Sequence, residues 1–503
     1  MHTFADPIKY AASMAPTKTA VIDGTESIDY AKLHRRCRLL AGSLQALGLE
    51  KGERVAILAN NGQRYIETYI GVPAAGLVVV PLNTRHAMAE LKYALEDSQT
   101  KVLLIDRDPG ELADCVDHVI MIPDAYDTML NEATEAELGV NVEENDLAGL
   151  FYTGGTTGKS KGVMLSHRNL IANTFHYLAC VPQREDDVML VMAPLFHAAG
   201  SLGVIGNIWT LGTQVTLAVF DPRTALDLIA EHGVTESLGV PTMLAAIAEE
   251  QHVRPRKTDT LKMLAHGGSP IATEILRRTH SAFPTAELVE VYGATELSPL
   301  CTVLNNEQDL IDSPLARSCG RPVIGNKIDI LDPHGSTLAS GEIGEVVVRG
   351  PNVMQGYWNK PEQTAAVLKD GAYWTGDLGY MDDQGYVFLV DRSKDMIVTG
   401  GENVYCTEVE EALYQHPAVL EAAVFGVPDD KWGEAVWAVI VPREGNKIDP
   451  IQVIEFCRER IAGYKTPKGI DVQLEPLPKS GPGKVLKREL RAPYWKSQER
   501  SVN

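Results

Sequence analysis

The residues best suited to chemistry on a phosphate lie in LFYTGGTTGKSKGVMLSHRNL (150–170), where an apolar run enters a loop of three glycines, three hydroxyl side chains and two lysines. Glycines let main-chain N–H groups turn inward, and hydroxyl and ammonium groups complete a nest for phosphate oxygens. A nucleoside triphosphate fits that composition. The loop departs from a Walker loop: Gly158-Lys159-Ser160 supplies the end of G-x-x-x-x-G-K-[ST], but Thr153 stands where the first glycine belongs. The chain then re-enters a strand-like Val163-Met164-Leu165, and Ser166 follows as a good N-cap for a helix beginning near His167. The loop should therefore join two strands. A surface hairpin rich in glycine and threonine is the competing structural reading.

The stretch resembles the signature YTSGTTGxPKG of the adenylate-forming superfamily of acyl-CoA synthetases, peptide adenylation domains and luciferases. It reads Tyr152-Thr153-Gly154-Gly155-Thr156-Thr157-Gly158-Lys159-Ser160-Lys161-Gly162, with Gly154 for the usual Ser and Ser160 for Pro. The first exchange removes a hydroxyl and leaves more to Thr153, Thr156, Thr157 and Lys161. Further matches follow in the family's order over nearly the entire chain. His266-Gly267-Gly268-Ser269-Pro270 resembles the segment that packs beside the adenine, and Val291-Tyr292-Gly293-Ala294-Thr295-Glu296 resembles the YGxTE motif. By that resemblance Tyr292 stacks on the base, Thr295 bonds the α-phosphate and Glu296 holds Mg²⁺, an ion that favours carboxylate and phosphate oxygens. Taken alone, a Thr-Glu pair is more often a helix start.

Tyr373-Trp374-Thr375-Gly376-Asp377 resembles the motif whose Asp accepts from both ribose hydroxyls, as an ionised carboxylate can. Asp391-Arg392-Ser393-Lys394-Asp395 resembles the junction between the family's two domains, with Arg392 on the ribose and Lys394 at the hinge. Gly400-Gly401-Glu402-Asn403-Val404-Tyr405 resembles the segment lining the pantetheine tunnel. Pro478-Lys479-Ser480-Gly481-Pro482-Gly483-Lys484-Val485 resembles the motif whose lysine bridges the carboxylate and the α-phosphate, which makes Lys484 the principal catalytic residue. Bare, T-G-D is a turn, the 391–395 run a charged turn compatible with a hinge, and Gly-Lys a solvated loop. Only the shared order of the motifs reverses those readings.

The implied reaction is ATP-dependent: a carboxylic acid gives acyl-AMP and pyrophosphate, and the acyl group then passes to the thiol of coenzyme A. Attack of a carboxylate on phosphorus brings two anions together, so fixed cations must be aimed at the centre. The carboxylate is already ionised at neutral pH, and no side-chain nucleophile or base is required. The second step implies rotation of a small domain about Lys394, which brings Gly401 to the thiol path. Amino-acid adenylation is disfavoured because Phe196 is followed by His197, where those domains carry an Asp that pairs with the substrate ammonium. His197 becomes a wall or gate of the acyl site, with a core histidine as the plain alternative. A luciferase-like oxygenase stays open to a light assay with luciferin, and a non-catalytic nucleotide sensor is disfavoured by the presence of Glu296 and Lys484.

The pocket contributors His197, Gly239, Val240, Pro241, His266, Gly267 and Gly293 include no Arg or Lys for a second carboxylate. A medium- or long-chain fatty acid is the first expectation for the substrate, and an aryl acid of the benzoate or cinnamate type the second.

These residues need elements to hold them. Between about 30 and 295, the apolar runs RVAILAN (54–60), LVVVPLN (77–83), KVLLID (101–106), VMLVMAP (188–194) and QVTLAVF (214–220) alternate with helical periodicity, as in α/β sheets buried on both faces. From about 320 to 391, NKIDILD, GEIGEVVVRG and DDQGYVFLVDR read as closely spaced strands of a small antiparallel or barrel-like unit. An α+β segment follows, with helices around 406–416 and 450–462 and strands around 420–426 and 436–442. The expected fold is an α/β large domain of two sheets plus the barrel-like unit over 1–391, then a small mobile α+β domain over 392–503.

The chain of 503 residues exceeds one hydrophobic core. A formal net charge of −21 argues against general binding of nucleic acid or anionic membrane, and no stretch reads as an export signal or membrane span. Seven scattered cysteines, with no C-x-x-C pair, read as buried, reduced thiols of a cytoplasmic protein. The expected partners are the small acid, ATP and CoA, with a homodimer admitted as the assembly.

Overall fold

The computed structural model describes residues 2–153, 160–269, 271–392, 395–399, 402–429, 431–443, 445–479 and 485–495, with main chain only for Ser201 and Arg392. The chain folds into two compact units, one of residues 1–328 with 348–373, the other of 329–347 with 374–503.

The first unit holds two large sheets, and the apolar runs supply their strands. A seven-stranded sheet runs Gly356–Tyr357, Lys161–Ser166, Leu147–Thr153, Val78–Pro81, Arg54–Leu58, Thr100–Ile105, His118–Met121. Its inner strands are parallel. Val78, Val79 and Val80 are buried on both faces, the state that a continuous rather than alternating apolar run requires. The nine-stranded sheet runs Arg321–Pro322, Thr302–Leu304, Glu287–Tyr292, Met263–Gly267, Glu236–Gly239, Val188–Val191, Thr213–Thr216, Thr19–Asp23, Glu26–Asp29. The five consecutive strands from Glu287–Tyr292 to Thr213–Thr216 are mutually parallel, which brings their C-terminal ends to one edge.

Helix boundaries follow local chemistry. Ser166 caps Asn169 N at 3.1 Å and opens the helix His167–Cys180, as its hydroxyl suggested. Asp221 accepts from Thr224 N at 2.9 Å, Pro222 takes the first helical position, and Gly233 ends the helix Pro222–His232 in the left-handed region.

In the second unit, Ala372–Met381 pairs antiparallel with Val387–Arg392 and sets Asp377 opposite Arg392. Beyond it lies a sheet ordered Glu402–Val404, Ile397–Thr399, Gly433–Pro442, Val419–Asp429, with Gly469–Val472 parallel to Gly433–Pro442. The long hairpin of this sheet is apolar on both faces. Ala422 and Val424 pack with Val409, Leu413 and Val453 of the helices Cys406–Tyr414 and Pro450–Arg458, while Ala423, Phe425 and Val427 pack with Leu490 and Tyr494 of Lys487–Trp495. The four elements expected between 406 and 462 are all present.

No disulfide joins the cysteines, of which Cys37, Cys301, Cys319, Cys406 and Cys457 are buried; Cys115 and Cys180 are half-exposed, contrary to the expectation that all seven lie inside. Among the described residues no helix is long and apolar enough to cross a membrane.

One buried acid makes a pH prediction. Glu236, 5 % exposed, accepts from Gln183, and burial, assisted by Asp187, pushes its carboxyl up to about 8. A folded-state value above the unfolded one means that the native state holds the proton while the unfolded chain releases it. Stability then falls with rising pH from the ordinary carboxylate range to about 8, by about 1.4 kcal/mol per pH unit. Glu236→Gln should remove this fall, its melting temperature gaining on the parent's as pH rises across that window. Parallel curves for the two proteins would count against a neutral Glu236.

Candidate active site

The hairpin expected around the phosphate loop is present: Leu147–Thr153 pairs antiparallel with Lys161–Ser166, and Thr153 faces Lys161. Ser160 Oγ donates to Thr153 O at 2.6 Å and closes the neck of the loop. Gly154, Gly155, Thr156, Thr157 and Gly158 lie outside the described residues.

A second group sits at the C-terminal edge of the nine-stranded sheet, where open α/β sheets place their ligands. Gly267 ends Met263–Gly267, Gly268 and Ser269 follow, and Tyr292 ends the neighbouring strand Glu287–Tyr292. Gly293 must be glycine, since a Cβ there would lie 1.7 Å from Pro299 O. Thr295 and Glu296 open a short 3-10 turn, Thr295–Leu297, and both are half-buried.

A strap of residues 351–358 joins these two groups. Its Asn352 donates to Leu297 O and Leu300 O at 2.8 and 2.9 Å, and its Met354 N donates to Glu296 O at 2.9 Å. Toward the hairpin, Gln355 N donates to Met164 O and Trp358 N to Gly162 O, at 3.0 and 2.8 Å, while Asn169 Nδ2 reaches Pro351 O and Val353 O. Near the end of the strap the Tyr357 hydroxyl donates to Glu296 Oε1 at 2.7 Å, and Lys161 Nζ lies 4.5 Å from the centroid of the same ring. Burial and the Glu296 carboxylate hold the phenol well above its ordinary value, so it stays a donor. Tyr357 escaped the sequence reading; its contact with Glu296 spans 61 residues.

His197 precedes the helix Ala198–Trp209 in extended main chain, its ring 4.5 Å from that of Phe196. Its Nε2 is enclosed and has no hydrogen-bond partner among the described residues. Burial first, then the charges of Arg85 and His86, hold its pKa down to about 4, so the ring is neutral at physiological pH. His266 was expected to line the acyl pocket, but is fully buried with Nε2 2.5 Å from Glu307 Oε2. Alternation along a strand explains the difference, since successive residues point to opposite faces and His266 turns with Leu264 into the core.

In the second unit, Gly376 is left-handed at φ +73° and its N donates to Glu345 Oε1 at 3.0 Å, while Asp377 N donates to Thr375 Oγ1 at 3.0 Å. That turn sets Asp377 across from Arg392, whose side chain is not described. Glu402 is exposed on Glu402–Val404. Lys394, Gly400, Gly401 and Lys484 lie outside the described residues. The segment 480–484 is flanked by the bridge Lys479 to Val485, by Lys479 Nζ at 2.5 Å from Glu421 Oε1, and by Lys487 Nζ at 2.8 Å from Glu410 Oε1.

The strap thus ties the hairpin of Thr153 and Lys161 to the Thr295–Leu297 turn, with Tyr292 at the adjoining strand end. The chain belongs to the AMP-binding enzyme family: the family's main model matches residues 8–358, and the model of its C-terminal domain matches residues 408–484. It is 40% identical over 484 residues to a feruloyl-CoA synthase of Amycolatopsis sp, covering 95% of this chain and 96% of that one. It is 34% identical over 525 residues to a long-chain-fatty-acid–CoA ligase of Bacillus subtilis, with 95% and 92% coverage. Its fold matches that of ATP-bound MatB from Rhodopseudomonas palustris with a TM-score of 0.91 at 31% identity, over 99% of this chain and all (100%) of the other. The protein is an AMP-forming acid–CoA ligase that uses ATP.

Proposed function

We propose that the acid is an aryl acid of the hydroxycinnamate class, made into its CoA thioester through an acyl-adenylate. The observation that carries this reading is the 40% identity, over nearly the full length of both chains, to a feruloyl-CoA synthase. The medium- or long-chain fatty acid becomes the second reading, supported by the likeness to the Bacillus subtilis ligase.

In this reading Tyr292 stacks on adenine beside Gly267, Gly268 and Ser269, and Asp377 with Arg392 takes the ribose. The residues 153–158 and Lys161 hold the pyrophosphate side of ATP, Thr295 the α-phosphate, and Lys484 bridges that phosphate and the acid. Magnesium fits at Glu296: one carboxylate oxygen is occupied by Tyr357, and the described residues form no cluster of three acidic, histidine or cysteine side chains that would cage an ion without the nucleotide. An Mg²⁺ held there by one carboxylate and phosphate oxygens would neutralise developing charge. For the second half-reaction the residues after Lys394 rotate, so that Gly400, Gly401 and Glu402 line the path of the CoA thiol.

The test is pyrophosphate release with ATP, magnesium and CoA across ferulate, other cinnamates, benzoates and fatty acids of graded length. Ferulate-type acids should exceed every fatty acid in kcat/KM by roughly tenfold or more, in the range that pocket contacts supply. A fatty acid at the top of the ranking moves the assignment to the second reading.

A further inference from the structure

We propose that Tyr357 is the positioning residue that couples the two halves of the triphosphate site, orienting the carboxylate of Glu296 and the ammonium of Lys161 with one side chain. The proposal rests on the reading of Glu296 as the magnesium ligand. The geometry that leads to it lies entirely within the first unit.

Tyr357 belongs to the short strand Gly356–Tyr357, which pairs Tyr357 with Val163 and so seats the ring beside the hairpin that carries Lys161. Main-chain donors on both sides fix the backbone that carries the ring: Trp358 N to Gly162 O at 2.8 Å, Met354 N to Glu296 O at 2.9 Å, and Tyr357 N to the Thr364 side-chain Oγ1 at 2.9 Å. From that position the hydroxyl reaches Glu296 Oε1 at 2.7 Å, and the π-face receives Lys161 at 4.5 Å. Each contact has its own consequence. A phenol on Oε1 fixes the rotation of the carboxylate and leaves Oε2 as the oxygen to be offered, which suits a metal that takes one oxygen from each ligand at octahedral spacing. A ring under the ammonium holds a long, flexible cation in place. Before the nucleotide arrives, the same ring separates Lys161 from Glu296, which at shorter range would neutralise one another and present neither charge to ATP.

Two variants separate these consequences. Tyr357→Phe keeps the ring, its packing and the Lys161 contact, and removes only the hydroxyl. Tyr357→Leu removes the ring as well. With Tyr357→Phe, kcat/KM for MgATP in the pyrophosphate-forming half-reaction should fall roughly tenfold, the range for a hydrogen bond to a charged group. The magnesium concentration for half-maximal rate should rise several-fold, while the KM for the acid and thioester formation from supplied acyl-adenylate stay unchanged. Tyr357→Leu should lose a further several-fold. A readout independent of turnover is the magnesium-dependent rise in melting temperature with a non-hydrolysable ATP analogue, which should shrink in Tyr357→Phe although the melting temperature without nucleotide stays close to the parent's.

Glu296→Gln is the reference. If it raises the magnesium requirement and Tyr357→Phe does not, the positioning role is wrong and the metal reading stands. If Glu296→Gln leaves the requirement unchanged, both readings fall together.

Discussion

Lys484→Ala is expected to slow acyl-adenylate formation by roughly 10²–10³-fold, the loss typical of one preorganised electrostatic contact at a developing anion. Thioester formation from supplied acyl-adenylate should survive, because that step proceeds after the lysine has served its purpose. The comparison is made by following pyrophosphate release in one assay and AMP release from synthetic acyl-adenylate plus CoA in the other. Equal losses in both half-reactions, with the fold intact, would remove Lys484 from the role the motif gives it. A selective loss in the first half-reaction would also argue that the Gly-Lys of the C-terminal motif acts as more than a solvated loop.

The second large effect concerns stability and lies far along the chain from the motifs. Glu67 is fully buried on the helix Gln63–Ala74 and accepts three bonds: from Arg36 Nε at 2.5 Å, from Gln63 Nε2 at 2.7 Å and from the Tyr126 hydroxyl at 3.0 Å. Arg36 also reaches Asp127 Oδ1 at 2.6 Å. Glu67→Ala would leave a largely buried guanidinium with half its partners gone, which costs about 3–5 kcal/mol. A drop of roughly 5–10 °C in the first thermal transition should follow for a unit of this size. The double variant Arg36→Met, Glu67→Leu should recover part of the loss, because it removes the unpaired guanidinium while the buried Gln63 amide and Tyr126 hydroxyl stay without their acceptor. A mild single variant, or a double variant as damaged as the single one, would contradict this account.

What could be read from the chain, and what could not, follows from the range of the interactions involved. Runs such as KVLLID and LVVVPLN announced themselves because parallel strands buried on both faces need unbroken apolar sequence, and they became Thr100–Ile105 and Val78–Pro81. Ser166 was legible as a cap because its bond reaches only three residues onward. The strand-loop-strand form of the phosphate segment was legible for the same local reason. Tyr357 was not: nothing near it in sequence announces that its hydroxyl will meet Glu296. Nothing in the sequence marks Glu67 or Glu236 as buried, since a carboxylate is expected outside unless something buried pairs with it. His266, expected among the pocket contributors, is fully buried beside Glu307, a partner 41 residues on that no local pattern announces. The choice of acid was the least legible of all, because relatives that act on aryl acids and relatives that act on fatty acids share the same motifs and nearly the full length of this chain.

The described residues on either side of 480–484 are anchored within the second unit. Lys479 is clamped to Glu421 at the start of Val419–Asp429, and Lys487 to Glu410 within Cys406–Tyr414. Leu486 N also donates to Pro478 O at 2.8 Å, tying one flank to the other. These bonds tie the described flanks on both sides, Lys479 and residues 485–487, to a strand and a helix of the same unit.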